Sequence, residues 1–450
     1  MSFDSQWSRL TLEAAGVSLI DCDHRTPAAV ADGVPYIAIP QLRDGHISLE
    51  GVRRISDADY TDWTKKLSPQ ANDVIVVRRC NSGESAHVPA GLKCAIGQNL
   101  VVLRADGKKL MPQYLRWLVR GTEWWEEVGK YINVGAVFDS LRCRDIPLFE
   151  LPVPPLAEQG QIASVLSALD DRITLLRETN ATLEAIAQAL FKSWFVDFDP
   201  VRAKMEGRVP EGMDEATAAL FPDGFEESEL GLVPKGWTAT TLAALTKQHG
   251  GSIQTGPFGS QLHASDYVPD GIPVVMPKDI ANRRVATDSV ARIDAINVER
   301  LARHKLQVGD IVFSRRGDVE KHALIGDREV GWLCGTGCLL VRPGKNWIAP
   351  NFLSMALDAP AARLWLVQHA VGATMPNLNT GILGSVRLVL PPSVLLAAFE
   401  NVIAASQALQ SQNASTIETL ATLRDTLLPR LISGQLRLPE AQAAAAEALA

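Results

Sequence analysis

Apolar residues between positions 156 and 195 recur at alternating steps of four and three. They are Ile162, Leu166, Leu169, Ile173, Leu176, Leu183, Ala187, Leu190 and Trp194, and Asn180 fills the one place without an apolar residue. This heptad spacing predicts a long helix that packs against another helix. Pro154 and Pro155 cannot lie inside a helix, so they mark its start. A helix of roughly 40 residues extends about 60 Å at ~1.5 Å per residue.

The partner of this helix is predicted in the same chain, because residues 388–434 repeat the segment. Pro154 corresponds to Pro391 and Leu190 to Leu427, at a constant offset of 237 positions. The second helix is predicted to pair through Leu395, Phe399, Val402, Leu409, Leu420, Leu423 and Leu427, with Asn413 in a place similar to that of Asn180. A polar residue at such a position fixes the register of the two helices at some cost in stability.

The repeat extends upstream of the helices at the same offset. Residues 73–79 match residues 310–316, residues 134–136 match residues 371–373, and Leu141 matches Leu378. The chain is therefore predicted to contain one unit twice, each unit being a globular part followed by a long helix.

The repeat predicts six segments and an α+β fold class. Two globular mixed α/β domains (1–155 and 237–392) are separated by two long antiparallel coiled-coil helices (156–195 and 393–434), as an internal duplication in a pseudo-twofold arrangement. Residues 196–236 form a connector broken by Pro and Gly, and residues 435–450 are expected to be a disordered tail.

Composition narrows the class of protein. The hydrophobic fraction of 46% is typical of globular domains. The sequence contains neither an apolar run long enough for a membrane helix nor a secretory signal, and none of its six cysteines forms a C-x-x-C pair. These features predict a cytoplasmic protein with reduced cysteines. The net charge of −7 is uneven, because residues 156–230 carry −9 whereas residues 231–392 carry +5. Net charge therefore does not exclude nucleic acid as a partner.

Candidate contacts in the first globular part lie on predicted turns. They are His24, Arg25, Thr26, Arg78, Arg79 and Asn81. Arginine can donate two hydrogen bonds to guanine or to phosphate, so these residues suit contact with DNA. An Asx-type turn around His24 and a solvated strand exit at Arg78 are the alternatives.

The second globular part offers a similar set of candidates. They are Gln254, Thr255, Phe258 and Ser260 in a Gly-rich loop, together with Arg283, Arg284, Arg315, Arg316, Lys321, Thr374 and Asn377. Gly-Lys-Ser/Thr is absent from the sequence, so the Gly-rich loop is not a phosphate-binding loop of the Walker type. Its backbone is expected to approach DNA.

Motifs of catalysis are missing from the sequence. Asn/Asp-Pro-Pro-Tyr/Phe, Glu-x-Lys, His-Glu-x-x-His and Gly-x-Ser-x-Gly do not occur, and the histidines are scattered singly. The acidic residues of the connector lack a ligand spacing for a metal. We therefore expect neither a catalytic residue nor a metal site in this chain.

The chain resembles the specificity subunit of a type I restriction-modification enzyme. The resemblance rests on V-P-P-L-A-E-Q-G-Q-I, A-L-F-K-S-W-F-V-D-F-D-P-V-R-A-K-M-E-G, G-L-V-P-K-G-W, G-P-F-G-S and T-L-L-P-R-L-I-S-G. It implies that each globular part is a target-recognition domain for one half of a split double-stranded DNA site, and that the two helices hold the domains apart. The second copy departs from the family pattern, because P-P-S-V-L-L replaces the usual Glu-Gln found at Glu158-Gln159.

The same resemblance implies the partners. Two modification subunits would bring S-adenosylmethionine, and restriction subunits would bring ATP- and Mg²⁺-dependent translocation and cleavage; no membrane is involved. Because the loops of the two parts differ, the target is expected to be asymmetric. A stand-alone DNA-binding regulator or decoy, and a self-contained methyltransferase, remain as alternatives.

Overall fold

The structure is a computed structural model that describes residues 7–22, 25–135, 138–286, 290–372 and 374–449. The chain divides into two compact units. Unit 1 comprises Met1–Asn180 and Ser411–Ala450, and unit 2 comprises Ala181–Gln410. Each unit therefore holds one globular part and a portion of each long helix.

The first part of the chain is rich in short strands. The strands are β1 (Ser8–Thr11), β2 (Val17–Asp21), β3 (Val34–Ile37), β4 (Leu42–Arg43), β5 (His46–Ile47), β6 (Arg53–Ile55), β7 (Val74–Val77), β8 (Ser85–His87), β9 (Ala95–Ile96), β10 (Leu100–Ala105), β11 (Asn133–Val134), β12 (Asp139–Ser140) and β13 (Glu150–Val153). The helices are α1 (Asp57–Trp63), α2 (Pro112–Leu118), α3 (Thr122–Tyr131) and the long α4 (Leu156–Phe195).

The rest of the chain follows the same plan. Its strands are β14 (Phe225–Ser228), β15 (Gly231–Pro234), β16 (Thr238–Thr241), β17 (Ser252–Thr255), β18 (Tyr267–Val275), β19 (Ile280–Ala281), β20 (Arg284–Val285), β21 (Ala291–Ile293), β22 (Ile311–Ser314), β23 (His322–Leu324), β24 (Leu333–Cys334), β25 (Cys338–Arg342) and β26 (Arg387–Leu390). Its helices are α5 (Asp199–Met205), α6 (Glu215–Ala219), α7 (Leu242–Gln248), α8 (Ala295–Arg300), α9 (Pro350–Asp358), α10 (Pro360–His369), α11 (Thr380–Gly384), the long α12 (Ser393–Ile432) and α13 (Leu438–Leu449).

The central sheet of unit 1 has the order β2-β10-β7-β8 and is antiparallel throughout. Every residue of β7 is buried. Because alternate residues of a strand point to opposite faces, Val74 and Val76 join one hydrophobic core while Ile75 and Val77 join another. Burial on both faces explains why this run is apolar without alternation.

Unit 2 repeats the main sheets of unit 1. The sheet β17-β25-β22-β23 corresponds to the central sheet, and β21-β18-β24 corresponds to β6-β3-β9, each with one antiparallel and one parallel pair. The ribbons β16-β26 and β19-β20 correspond to β1-β13 and β4-β5. The predicted internal duplication and the mixed α/β fold are confirmed.

One ion pair recurs in both copies and anchors the central strand. Arg104 donates to both carboxylate oxygens of Asp73 at 2.7 Å. Arg342 makes the same forked contact with Asp310, at 2.8 and 2.6 Å. Both aspartate side chains are 2% exposed, so the guanidinium supplies the partner that a buried carboxylate requires.

In unit 1, α4 packs antiparallel against α12. Asp170 lies beside Arg424 and Asn180 beside Asn413, so positions fall along one helix as they rise along the other. The Asn413 amide donates to Asn180 Oδ1 at 2.8 Å, so the two asparagines meet between the helices. The predicted pairing residues Leu166, Leu169, Ile173, Leu176, Leu420 and Leu427 are buried in one core.

In unit 2, an aromatic cluster joins the remaining parts of the two helices. The rings of Phe191 and Phe399 lie 6.1 Å apart, and Trp194 and Ile403 belong to the same core. Leu183 and Leu190 are half-buried, and Leu190 packs against this core. The connector adds Val201 and Phe221 to the cluster, which gives this Pro- and Gly-rich segment a structural role.

The predicted pairing face of α12 is wrong at Leu409, which is 43% exposed, and at Val402, which is 50% exposed. The buried positions lie one residue later, at Ile403 and Gln410, and continue the heptad through Asn413 and Leu420. Leu423 is only partly buried, because the fully buried position beside it belongs to Arg424. Apolar spacing alone misplaces this face, because polar and charged residues occupy two of its inner positions.

The tail also differs from its prediction. Residues 438–449 form α13, in which Ala441 and Ala445 are buried in the core of unit 1. Alanine and leucine favour helix, and the small alanine side chains allow close packing. The predicted disorder of this segment is therefore wrong.

Candidate nucleic-acid interface

A tight turn follows the central strand β7 and presents Arg78, Arg79 and Asn81. Cys80 and Asn81 both have left-handed backbones, with φ of +57° and +70°. This conformation is uncommon for residues other than glycine and requires support from its surroundings. The Ser82 hydroxyl supplies part of that support by donating to Arg78 O at 2.9 Å.

The hairpin β11-β12 packs against this turn. Arg79 forms a β-bridge with Ser140, and the Leu141 N–H donates to Arg78 O at 2.8 Å. The Arg79 guanidinium lies over the Phe138 ring at 5.2 Å from its centroid, and both side chains are exposed. The arrangement holds a cation at the surface without neutralising it.

Arg78 lies deeper than Arg79. Its side chain is 16% exposed, its terminal nitrogen is 3.9 Å from Asp21, and Nε has no hydrogen-bond partner among the described residues. Burial raises the pKa of the neighbouring Cys22 and Cys143 thiols, so both are neutral near pH 7. A partly buried guanidinium with a free donor suits an anionic or guanine ligand.

The equivalent turn of unit 2 follows β22 and presents Arg315 and Arg316. The Leu378 N–H donates to Arg315 O at 2.9 Å, and Arg316 forms a β-bridge with Asn377. Gly317, with φ of +77°, takes the left-handed place that Cys80 occupies in unit 1. Nε of Arg315, like that of Arg78, is buried without a hydrogen-bond partner in the described part of the chain.

Three further predicted residues join the patch of unit 2. Lys321 O accepts from the Ser314 N–H at 2.9 Å, and its side chain pairs with Asp318 in the turn. Asn377 pairs with Val371 through two backbone hydrogen bonds of 3.0 and 2.9 Å. The exposed Thr374 lies between these two residues in the hairpin. Arg316 and Asn377 are therefore adjacent, Lys321 lies on the same turn as the arginine pair, and Thr374 lies on the adjoining hairpin.

Arg25 and Thr26 are placed in a different setting. Arg25 pairs with Asp62 at 3.1 Å and lies over the Trp63 ring at 4.5 Å, while Thr26 accepts from Gln98 Nε2 at 2.7 Å. These contacts attach the segment to α1 and leave both side chains exposed. His24 lies outside the described residues.

In the Gly-rich loop of unit 2, backbone packing within the unit requires the first glycine. A Cβ at Gly256 would lie 2.1 Å from Gly335 O, so a close approach of two backbones within the unit requires glycine here. Gln254 donates to Arg303 O at 2.8 Å, and Thr255 is half-buried beside it. The outer residues Phe258 and Ser260 remain exposed.

Arg283 and Arg284 face the long helices. Arg283 pairs with Glu184 of α4 and is only 10% exposed, and Arg284 donates to Gln410 of α12. These contacts give both arginines a structural function within unit 2. The burial of Arg283 argues against its predicted contact with DNA.

Two exposed side chains beside the arginine turns were not predicted from the sequence. Phe138 in unit 1 is 43% exposed and Met375 in unit 2 is 61% exposed, and they are separated by the repeat offset of 237 positions. A single Phe or Met carries no local signal of function. Only the alignment of the two copies could have identified the pair.

A metal centre and a membrane span are both absent from the described residues. Among them, no group of three or more His, Cys, Asp or Glu side chains could hold a metal ion. The helices described here include none with the length and apolar character needed to cross a membrane.

Comparison with known proteins shows which family the chain is similar to. The family model for the type I restriction modification DNA specificity domain matches residues 28–185. The chain is 24% identical over 389 residues to the type I restriction enzyme HindI specificity subunit of Haemophilus influenzae, covering 76% of this chain and 81% of that one. It is also 24% identical over 407 residues to the MjaIX specificity subunit of Methanocaldococcus jannaschii, covering 87% and 83%.

A solved structure shares the fold. The S subunit of a type I restriction-modification system from M. genitalium superposes with a TM-score of 0.54 at 16% identity, covering 96% of this chain and 97% of that one. This likeness shows that the two chains share a fold. Over most of its length the chain therefore resembles the specificity subunits of type I restriction-modification enzymes, and residues 28–185 match the DNA specificity domain model.

Proposed function

We propose that the chain selects the DNA target of a type I restriction-modification complex, with each unit binding one half of a bipartite double-stranded site. The observation that carries this proposal is the recurrence of the arginine turn. Arg79 and Arg316 follow equivalent strands, are exposed, and are each fixed by a β-bridge to an adjacent segment.

The two turns differ in chemistry, so the two half-sites differ in sequence. Unit 1 places Asn81 after the arginine pair, whereas unit 2 places Asp318 and Lys321 at that turn. Arginine, lysine and asparagine have distinct preferences among base edges in the major groove. An asymmetric target follows.

The catalytic steps belong to partner subunits in this proposal. Two modification subunits bind this chain and supply S-adenosylmethionine, and restriction subunits supply ATP- and Mg²⁺-dependent cleavage. The helices α4 and α12 serve as the spacer between the half-sites, and the complex acts on DNA in the cytoplasm. Supporting this division of labour, the catalytic motifs sought in the sequence do not occur in it.

The test begins with the chain produced together with its modification subunit. Methylation-aware sequencing of the host genome identifies the target, and binding of that DNA is then measured against salt concentration. Arg79→Ala and Arg316→Ala are compared with Lys108→Ala and Lys345→Ala, which change exposed cations elsewhere in the same units.

Each arginine variant is expected to affect one half-site only. Loss of a base contact costs about 1–3 kcal/mol and relaxes one position, whereas loss of a phosphate contact lowers the salt slope by about one. A wild-type complex without sequence preference would refute the proposal. Specific binding by a chain that never associates with a modification subunit would support the regulator instead.

A further inference from the structure

Each unit carries a hairpin that exposes two apolar side chains. In unit 1 the hairpin β11-β12 exposes Val134 at 86% and Phe138 at 43%. In unit 2 the corresponding hairpin pairs Val371 with Asn377, and it exposes Val371 at 64% and Met375 at 61%. Both pairs are related by the repeat offset, so the feature occurs twice at the same place in the fold.

The two hairpins also share a glycine at the same place in the repeat. A Cβ at Gly135 would lie 2.7 Å from Phe138 O, and a Cβ at Gly372 would lie 2.6 Å from Met375 O. Glycine is thus needed at the same point of both hairpins. The pairing differs by one position, since Val134 pairs with Asp139 and Val371 with Asn377. The two copies nevertheless keep this glycine and two exposed apolar residues, while Phe is exchanged for Met.

Exposed apolar residues scattered singly need no explanation, but these four are not scattered. They lie on the segments that support Arg79 and Arg316 through β-bridges to Ser140 and Asn377. An arginine that contacts phosphate or a base edge would therefore bring the adjacent apolar side chain against the DNA. Charge complementarity selects DNA as the occupant, since each apolar pair lies beside a cation.

We infer that Phe138 and Met375 are apolar wedges, which insert between neighbouring bases at one step in each half-site and partly unstack it. This inference rests on the proposed function. It adds the unstacking of a base step, which a hydrogen bond to a base edge does not provide. Phe and Met are among the side chains that insert in this way in DNA-bending proteins. The unstacked step also lowers the energy needed to distort the DNA nearby.

Permanganate footprinting of the complex with its modification subunit tests the inference, because permanganate oxidises unstacked thymines. Targets carrying thymine at successive steps of each half-site are compared. The wild-type complex is expected to give one reactive step per half-site besides any base opposite the methylated adenine. Phe138→Ala should abolish that reactivity in one half-site, and Met375→Ala in the other.

Matched variants separate the wedge from other functions. Phe138→Leu keeps the apolar bulk but removes the aromatic face under Arg79. If the side chain acts as a wedge, this variant should retain the permanganate reactivity of its half-site. The Ala variants should weaken binding by about tenfold or less, because unstacking itself costs a few kcal/mol per step and offsets the gain from insertion.

The possible outcomes distinguish this inference from the proposed function. Sequence-specific binding with no wedge-dependent reactivity would overturn the wedge and leave the proposed function intact. Loss of the modification subunit from the Ala variants, with unchanged reactivity in any DNA still bound, would identify these tips as a protein contact and would also overturn it. Absence of specific binding by the wild-type complex would refute the proposed function itself.

Discussion

The two units attach the same small ribbon to the helix pair with opposite charges. In unit 1 the β4-β5 ribbon carries Asp44, which accepts from Arg424 of α12 at 3.3 Å and from Arg120 at 2.9 Å. In unit 2 the β19-β20 ribbon carries Arg283, which pairs with Glu184 of α4. The topology has kept the place of attachment, although Asp44 and Arg283 carry opposite charges. In unit 1 His46 of the same ribbon also contacts Asp170 of α4, at 3.2 Å.

The two attachments also differ in burial. Asp170 and Arg424 in unit 1 are both 1% exposed and 2.7 Å apart, whereas Glu184 in unit 2 is 24% exposed. Burial alone would raise the pKa of the Asp170 carboxyl, but His46, Arg116 and Arg424 outweigh it and hold this pKa well below its usual range. Both units therefore place a paired charge at this position. The loss of unfolding free energy on breaking the pair should depend on how deeply the pair is buried.

The largest expected effect comes from breaking the deeper attachment. Arg424→Met leaves the Asp170 carboxylate buried with only Arg116 and His46 as partners. Removing one partner of a buried pair costs about 3–5 kcal/mol, so unit 1 should lose about 3 kcal/mol of unfolding free energy. Hydrogen exchange of the α4 amides in unit 1 measures this loss separately from unit 2.

Arg430→Met provides the control for this prediction, because Arg430 is exposed on the same helix. The control should change stability by less than about 0.5 kcal/mol. Equal stability of the Arg424 and Arg430 variants would mean that the buried network does not hold unit 1 together.

The buried Asp170–Arg424 network also explains why the pairing face was predicted less well for α12 than for α4. The predicted heptad positions of α4 from Leu166 to Leu176 are apolar and buried, although the buried Asp170 lies beside them. The face of α12 contains Gln410 and Arg424, whose partners Arg284 and Asp170 lie far away in sequence. Periodicity cannot anticipate such residues, so the prediction moved to the adjacent Leu409 and Leu423.

A second expected effect is a pH dependence of stability, which arises from one histidine in each unit, His322 in unit 2 and His87 in unit 1. Burial first and Arg283 next lower the pKa of His322 to about 3, and burial and Arg116 lower that of His87 to about 4. Both folded values lie below the unfolded value, so the neutral ring is favoured on folding. The resulting stability is complete above about pH 6.5 and is lost as the pH falls towards the folded pKa.

At pH 5 each histidine should cost its unit about 2 kcal/mol relative to pH 7.5. Hydrogen exchange at the two pH values measures the loss in each unit. His322→Gln should remove its share in unit 2 and leave unit 1 unchanged, since glutamine can still donate to Ser354 O, which His322 Nε2 contacts at 3.1 Å. The same pH dependence in the variant as in the wild type would show that His322 does not titrate in this way.

A smaller effect is expected at the shallower attachment of unit 2. A double-mutant cycle with Glu184→Gln and Arg283→Gln should give a coupling of about 1–2 kcal/mol, since solvent reaches Glu184 and weakens the pair. Urea unfolding of the two single variants, the double variant and the wild type supplies the cycle. A coupling larger than the cost of Arg424→Met would reverse the ranking of the two attachments.

In the candidate site, as in the helices, the sequence could predict some features and not others. Arg78 and Arg315 were found because the repeat aligns a conspicuous Arg-Arg pair at the end of each central strand. Their contact with DNA stays a prediction. The support from Ser140 and Asn377, and the exposure of Phe138 and Met375, depend on hairpins that pack only in three dimensions.

The smallest expected effect concerns the polar pair inside the helix interface of unit 1. Asn413 is 6% exposed and donates to Asn180, so Asn180→Leu should leave a buried amide without this partner and cost about 1 kcal/mol. Replacing both by Leu removes the polar groups together, so the double variant should lie within about 0.5 kcal/mol of the wild type. Urea unfolding of the single and double variants measures both values. Costs that simply add would mean that the two amides do not act as a pair, whereas recovery in the double variant would show that this contact serves the register of the helices more than their stability.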